Sequence, residues 1–382
     1  MTTRAISELL VFSDDWGRHP SSCQHLIASL LEDTKVTWVN TIGTRPPRMD
    51  LVTAKRGIEK AKNWVSGAPR HLGKGPLPDN LDILDAKMWP WMTHSWDRLI
   101  NRWLLSQQLA DKTKNATVLT TIPLVADLID KIPARRWVYY CVDDFSKWPG
   151  LDDRAMKHTE ERLLKMADKV IAVSENLQEK VLQHRDQCDL LTHGVNLDHW
   201  NQVAKNFDWS NQNIPSPVYL FWGVIDQRMD TSWVVELSQQ MTQGSIVLAG
   251  PEQNPEPKLF EIQRVHRLGA IPYEDLPAMA FSADVLIMPY QNSPVTRAMQ
   301  PLKMKEYLAT GKPVVARKLP AIEEWGDCSD LVSDARDFAK QVISRGDEST
   351  PHKQLENRKR LSVENWSSKA DRLVQMIESA SQ

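Results

Sequence analysis

The feature that most constrains this chain is a series of short apolar runs that are continuous rather than alternating. ISELLVF (6–12), KVTWVNTI (35–42), TVLTTI (117–122), RWVYYCV (136–142), KVIAVS (169–174) and DLLTHG (189–194) form a first series. PVYLFWGVI (217–225), SIVLAG (245–250), ADVLIMPY (283–290), PVVAR (313–317) and DLVS (330–333) form a second. A strand that is apolar on both faces must be covered on both, as in a parallel sheet flanked by helices. Amphipathic stretches lie between the runs. DRAMKHTEERLLKMAD (153–168) sets Met156, Leu163, Leu164 and Met166 on an apolar side. SENLQEKVLQHR opens on Ser174 as N-cap, and TSWVVELSQQM (231–241) on Thr231 or Ser232. This order, repeated in both halves, predicts an α/β protein built from two doubly wound domains.

At 382 residues the chain is too long for one ordinary core. The seam is read in the polar, Asn-rich stretch 196–218, which carries Pro215 and Pro217. That gives an N-terminal domain over 1–205, a C-terminal domain over 206–362, and a last helix in 363–382 that packs on its own domain or crosses back. Lys and Arg total 47 against 49 Asp and Glu, a net charge of -2, so no global basic field exists to hold nucleic acid. No apolar run approaches the roughly 20 residues of a membrane span. MTTRAISELLVF reads as a first strand rather than a leader, and the expectation is a cytoplasmic protein. Cys23, Cys141, Cys188 and Cys328 form no CxxC pair, so they read as thiols in a reducing compartment.

The sequence contains no GxGxxG, no GxxxxGK[ST], no HExxH and no DxD. No metal-held diphosphate site is expected. A phosphorylated ligand would be met by backbone amides and side-chain cations.

PLKMKEYLATGKPVVAR (301–317) fits that chemistry. Pro301 suits a first helical turn, Gly311 a left-handed C-terminal cap, and Pro313 stops continuation, so a helix is expected over about 301–310. Lys303 in the first turn opposes the helix dipole unless an anion docks there too. Glu306, on the same face, would accept from a pair of hydroxyls such as a ribose diol. A solvated i,i+3 ion pair is the other reading of these two residues. Arg228, in GVIDQRMD (223–230), lies on a loop at the carboxyl edge of a sheet, where open α/β sheets bind ligands; a plain surface arginine is the alternative. In 265–300, Gly269 ends a strand, Pro272 turns the chain and Asp275 precedes a short helix.

GVIDQR, VLAGP, RLGAIPYEDLP, ADVLIMPY and PLKMKEYLATGKPVV stand in the order and spacing of a GT-B glycosyltransferase. WVYYCVDDFSKWPG, ERLLKMADKVIAVSENL and LLTHGVN resemble the matching N-domain segments. The likeness is to family 4 of the glycosyltransferases, of the bacterial surface-polysaccharide type, and covers most of 136–325. It implies two Rossmann-like domains facing across a cleft. It also implies transfer of a sugar from a nucleotide-diphosphate sugar to a saccharide or lipid-linked acceptor, with retention and without a metal. By the resemblance Glu306 holds the ribose, Arg228 meets the diphosphate, and Lys303 and Leu302 lie at the helix start where phosphate contacts occur. Gly269, Ile271 and Pro272 fall in the segment whose backbone recognises the base. Ala298 stands where family members often carry a glutamate, with Thr296 and Gln300 as nearby polar alternatives. The glycine-rich N-terminal loop is replaced by DDWGRHPSSCQHL, which keeps Gly17 for a close approach and Arg18, His19 and Ser21 as polar handles.

Asp143 and Asp144 end the strand WVYYCVDD and are candidates to orient the acceptor hydroxyl or take its proton. A loop cap or an ion pair with Arg136 or Lys147 is the alternative. His19 and His193 are weaker candidates. RPPRMDLVTAKRGIEKAKNW (45–64) carries six Lys/Arg, and Trp89, Trp91, Trp96 and Trp103 follow downstream. Such a surface would suit a lipid-linked acceptor at a membrane face, on the inner side for a cytoplasmic protein. Core tryptophans and a solvated basic helix are the plainer expectation. A noncatalytic sugar-nucleotide or polysaccharide-binding module, kept open by Ala298, and a sugar-nucleotide epimerase are the competing functions.

Overall fold

The apolar runs become the strands of two parallel sheets. The computed structural model describes residues 6–17, 21–41, 77–92, 94–145, 153–201, 207–299 and 302–379. The first sheet holds β1 (Glu8–Ser13), β2 (Lys35–Asn40), β3 (Leu81–Asp85), β4 (Thr117–Thr120), β5 (Arg136–Cys141), β6 (Lys169–Ala172) and β7 (Asp189–Leu190). The second holds β8 (Val218–Trp222), β10 (Ser245–Ala249), β12 (Val265–Gly269), β13 (Val285–Met288), β14 (Val314–Arg317) and β15 (Asp330–Val332). β9 (Ile225–Asp226) and β11 (Glu252–Gln253) form a separate parallel pair.

Strand order is β3-β2-β1-β4-β5-β6-β7 in the first sheet and β12-β10-β8-β13-β14-β15 in the second. Each sheet starts in the middle, runs outward one way, then jumps back to lay β4 beside β1 and β13 beside β8. At such a reversal the loops after the two central strands part in opposite directions and leave a crevice at their carboxyl ends. Val218 to Trp222 and Val285 to Met288 are all buried, as strands covered on both faces must be. β3 was not expected: LDILD interrupts its apolar residues with two aspartates at the sheet edge, so it has no continuous apolar signature.

The helices of the first unit are α1 (Ser22–Ala28), α2 (Ser95–Thr113), α3 (Asp153–Met166) and α4 (Glu175–Leu182). Those of the second are α5 (Leu197–Asn201), α6 (Thr231–Gln240), α7 (Leu276–Phe281), α8 (Pro294–Ala298), α9 (Leu302–Ala309), α10 (Ala335–Gly346) and α11 (His352–Arg358). Last comes α12 (Trp366–Glu378). Ser174 caps α4 by accepting from the Leu177 amide. The cap of α6 is Asp230, not Thr231 or Ser232: its carboxylate accepts from the Ser232 amide at 3.1 Å, and a full negative charge suits a helix start better than a hydroxyl. On α3, Met156, Leu163 and Leu164 are buried, but Met166 at the helix end is exposed.

The chain divides into Met1–Thr192 with Trp366–Gln382, and His193–Asn365. The division lies ahead of the expected seam near 205, because α5 already belongs to the second core: Trp200 is fully buried and stacks on Trp222 at 5.2 Å. The final helix groups with the first unit. There Trp366 stacks on His25 at 5.0 Å, Lys369 donates to the Thr192 hydroxyl at 2.8 Å, and Arg135 pairs with Glu378 at 2.8 Å. All four cysteines are free, and burial pushes the Cys23 thiol up to about 12. Among the described residues no helix is long and apolar enough to cross a membrane.

Candidate active site

The site in the second unit is built from the end of β8 and the start of α9. Met304, Tyr307 and Leu308 turn one face of α9 into the core. Tyr307 fixes its rotation: its hydroxyl accepts from the Trp222 amide at 3.0 Å and donates to the Trp222 carbonyl at 3.3 Å. Gly311, at φ 76, ends the helix as its left-handed cap. With the rotation fixed, Lys303 and Glu306 meet the carboxyl end of β8. The Lys303 side chain lies over Gly223, so closely that a Cβ there would fall 2.2 Å from its Cε and 3.0 Å from its Nζ. Gly223 has φ 143, a backbone that side chains rarely allow. Lys303 is half-buried and makes no hydrogen bond or ion pair with any described residue.

Glu306 is buried, so the solvated ion pair is not what it and Lys303 form. Its carboxylate has one long hydrogen bond, from the Trp222 indole N–H at 3.4 Å. Burial pushes its pKa up to about 7, against the opposing pull of the Lys303 charge and the Trp222 indole. A buried carboxyl group with unfilled acceptor capacity next to an unpaired ammonium is an arrangement that a ligand with hydroxyls and negative charge would complete.

Arg228 reaches the same switch point from the β13 side. Residue 229 bridges Tyr290, and the guanidinium stands 6.0 Å from the Tyr290 ring. Asp226 already holds it, however, with Nη2 at 2.8 Å and Nε at 3.0 Å from the carboxylate. An anion there meets a compensated arginine, so its pull on a diphosphate is weaker than that of Lys303. Leu302 opens α9. Gly269 ends β12 in the left-handed region at φ 68, with open space where a Cβ would point. Ile271 packs on the core and Pro272 leads into Tyr273. Tyr273 stacks on His199 at 4.0 Å with the planes 7° apart, and the His199 ring contacts the Tyr273 carbonyl at 3.1 Å. Burial lowers the His199 pKa, which favours a neutral ring.

Thr296 is not available to a ligand. It is fully buried, and its hydroxyl donates to the Gln291 carbonyl and accepts from the Ser293 amide as part of the cap of α8. A hydroxyl four residues into a Ser-Pro-Val-Thr start is placed to close a capping box, and that local demand takes it. Pro301, Gln300, Arg18, His19 and the basic stretch 45–64 lie outside the described residues.

In the first unit Gly17 follows β1 at φ 78, and its amide donates to the Gln24 side chain at 3.2 Å. Ser21 caps α1. His193 is buried. Asp144 is buried too, and among the described residues Lys180, not Arg136, pairs with it at 2.8 Å; Lys147 lies outside the described residues. Lys180 also holds Glu160 at 2.7 Å, and Glu160 accepts from the Tyr139 hydroxyl at 3.1 Å. Asp144 is thus part of a buried charge network, whereas the neighbouring Asp143 is only half-buried.

Sequence reasoning did not find Gly223, Gly250, Trp222, Tyr307, Lys180 or the His199–Tyr273 stack. Gly223 and Gly250 end adjacent strands, and a Cβ on Gly250 would sit 1.8 Å from the Gly223 carbonyl oxygen. A glycine after each of two apolar runs was the available signal.

Residues 216–345 match the family model of glycosyl transferases group 1. The matched stretch lies within the second unit. Over 177 residues the chain is 28% identical to TuaH of Bacillus subtilis (strain 168), a protein named for glycosyl transfer in teichuronic acid biosynthesis. That match takes in 44% of this chain and 45% of the relative, so the chain spans under half the length of the curated protein it matches. Sucrose-phosphate synthase from Thermosynechococcus elongatus superposes with a TM-score of 0.72 at 18% identity, covering 97% of this chain and 98% of that one. HepE from Anabaena, solved with UDP and glucose, gives 0.66 at 14% identity over 97% and 99%. WaaG, described as a glycosyltransferase involved in lipopolysaccharide biosynthesis, gives 0.66 at 11% identity over 97% and 100%. The GT-B fold read from the motifs is the fold these proteins share with this chain.

Proposed function

We propose that this protein is a glycosyltransferase of polysaccharide biosynthesis. It moves a sugar from a nucleotide-diphosphate sugar to a saccharide or lipid-linked saccharide, with retention, without a metal, and in the cytoplasm. The observation that carries the reading is the pairing of an unpartnered Lys303 ammonium with buried Glu306 at the switch point of the second sheet. The group 1 family match over 216–345 and the UDP-bound relative in fold support it.

In this reading the ribose diol donates to Glu306, and the diphosphate lies along the α9 start against Lys303. The C1–O bond of the donor breaks with its electron pair going to the diphosphate. Lys303 and the free amides of the first turn stabilise that charge, each charge-assisted hydrogen bond contributing roughly 1.5–3 kcal/mol. Arg228 contributes less directly, through the electrostatics of its Asp226 pair. Asp143 takes or steers the acceptor hydroxyl proton as the new C1–O bond forms. The lack of DxD in the sequence favours cationic side chains over magnesium as the counter-charge.

The test is turnover. Incubated with a nucleotide sugar and a glycan acceptor, the protein should release nucleoside diphosphate only when the acceptor is present, and should do so in chelator. Nucleotide affinity without acceptor-dependent release indicates a binding module. Isomerised donor without acceptor indicates an epimerase. Loss of activity in chelator with rescue by magnesium overturns the metal-free part.

A further inference from the structure

Helix α2 carries a stripe of exposed apolar side chains. Its inner face is buried through Asp97, Asn101, Leu105, Leu109 and Thr113. On the outer face Trp96 is 52% exposed, Leu99 51% and Trp103 63%, and just upstream Trp91 is 37% exposed. The spacing i, i+3, i+7 puts the three helix residues in one row. Core tryptophans, the plainer expectation for this segment, are therefore not what these residues are. An exposed row of large apolar groups marks an interaction site.

The tryptophans are held in place from behind. Asn101, 1% exposed, accepts from the Trp89 amide at 2.6 Å and donates to the Trp89 and Trp91 carbonyls, both at 3.0 Å. Asp97, also 1% exposed, accepts from the Trp89 indole at 2.8 Å and from the His94 amide at 2.9 Å. Trp89 in turn lies 5.0 Å from the Trp91 ring and 5.9 Å from Trp96, and His94 stacks on Trp96 at 6.0 Å. A buried polar side chain is costly unless its hydrogen bonds are made. Here two of them bind the segment that presents the indoles, which fixes an aromatic shelf continued along α2 by Leu99 and Trp103.

The charges around the row say what covers it. Asp97 is buried, and Asp111 near the helix end pairs with Lys114 at 3.4 Å. Between Ser95 and Ala110 no exposed carboxylate lies on α2. Of the described charged residues on α2 between Ser95 and Ala110, Asp97 is buried, Arg98 pairs with Asp127 at 3.4 Å, and Arg102 is half-buried without an ion pair to any described residue. Indoles have an apolar ring and a donor N–H, and they settle at the headgroup level of bilayers. An arginine can lay its stem on apolar surface and give its guanidinium to phosphate. We propose that the outer face of α2, with Trp91, is a docking surface for an anionic phospholipid membrane. It seats the rings of Trp96 and Trp103 at the headgroup boundary and Arg102 on lipid phosphate. This rests on the first unit alone and not on the glycosyl-transfer reading.

The test is flotation of the full chain with phosphatidylcholine vesicles, with and without phosphatidylglycerol. The wild type should float with the anionic vesicles, and its tryptophan emission should shift to the blue. W96S/W103S should lose about tenfold in partition for each indole removed. R102Q should lose partition onto the anionic vesicles only. An unchanged melting temperature and far-ultraviolet circular dichroism spectrum show that a variant is folded; if the double variant is not, W103Q alone carries the test. Wild type that stays behind, a double variant that floats as well as wild type, or equal flotation with uncharged vesicles overturns the proposal. So does a concentration-dependent dimer, abolished by W96S/W103S, in a protein that does not float, because the row then belongs to a second copy.

Discussion

Lys303 crosses the end of β8 at the one place where Gly223 leaves room for it: a methyl group on that glycine would sit 2.2 Å from the lysine Cε. The glycine is thus part of the cation site without touching a ligand. Gly223→Ala should displace the ammonium and lower the affinity for UDP about tenfold, equivalent to roughly 1.4 kcal/mol. It should also cost on the order of 1–3 kcal/mol of stability, because residue 223 has φ 143. Lys303→Met should weaken UDP to a similar extent at little cost in stability. The two effects on affinity should not add, since they remove the same charge. Calorimetric titration of both single variants and the double variant checks this; fully additive losses would separate Gly223 from the lysine.

Glu306 sets stability against binding. Burial raises its pKa from an ordinary 4.5 to about 7 in the folded protein. The folded state therefore holds a proton that the unfolded chain has released. The stability this contributes is present below 4.5 and is lost as the pH rises through about 7. Glu306→Gln, which cannot ionise, should be more stable than wild type above that pH, by up to about 3 kcal/mol. The gap should close toward acid. At the same alkaline pH the variant should bind UDP more weakly, since an amide is a poorer acceptor for a diol. Lys303→Met removes the charge that lowers this pKa, so it should move the midpoint higher. Melting temperatures and titrations across the pH range read all three, and a glutamine variant with the wild-type stability profile would contradict the assignment.

The doubly wound order was legible because continuous apolar runs leave few alternatives to covered parallel strands, and the switch point follows from that order. β3 was not legible, because an edge strand needs only one apolar face and LDILD has the composition of a loop. In the site, Lys303 and Glu306 could be read from helix spacing, since two residues three apart must share a face. Thr296 could not be excluded that way: its hydroxyl is taken by backbone groups of its own turn, a contest that sequence spacing does not decide. The setting of Asp144 was not legible for the opposite reason. Lys180, which pairs with it, comes from another helix, and no local pattern links them.

Lys305 ties the site helix to both ends of the second unit. It is 2% exposed, and its ammonium donates to the His193 carbonyl and the Glu364 carboxylate. The Val195 amide donates to the Glu364 carbonyl at 2.9 Å, so the entering and leaving segments are also joined directly. Lys305→Met should cost on the order of 1–2 kcal/mol in urea unfolding, because the Glu364 side chain it leaves is 20% exposed and water screens its charge. Glu364→Gln should cost more, on the order of 3 kcal/mol, because it takes the Glu364 counter-charge from an ammonium that is almost fully buried. A larger loss from Lys305→Met would mean that the ammonium does not depend on Glu364.

The acidic pair after β5 should divide its labour. Lys180 faces two buried carboxylates, Asp144 and Glu160, with a single positive charge. Burial opposes that charge, but Glu160 and Asp144 together raise the Lys180 pKa above 10.5. Its contribution to stability is therefore complete below 10.5 and is lost only as the pH climbs past that value. Lys180→Met takes this shared cation from both carboxylates and should cost on the order of 3–5 kcal/mol at neutral pH. Asp144→Asn leaves a matched Lys180–Glu160 pair and keeps an oxygen acceptor for the ammonium, so its cost should stay near 1 kcal/mol or below. If Asp143 handles the acceptor proton, Asp143→Asn should lower the turnover number by about 100-fold or more, with nucleotide affinity unchanged. Asp144→Asn should then retain most of its activity. The reverse pattern, an inactive but stable Asp144→Asn beside an active Asp143→Asn, would assign the chemistry to the buried carboxylate and make Lys180 its positioning partner.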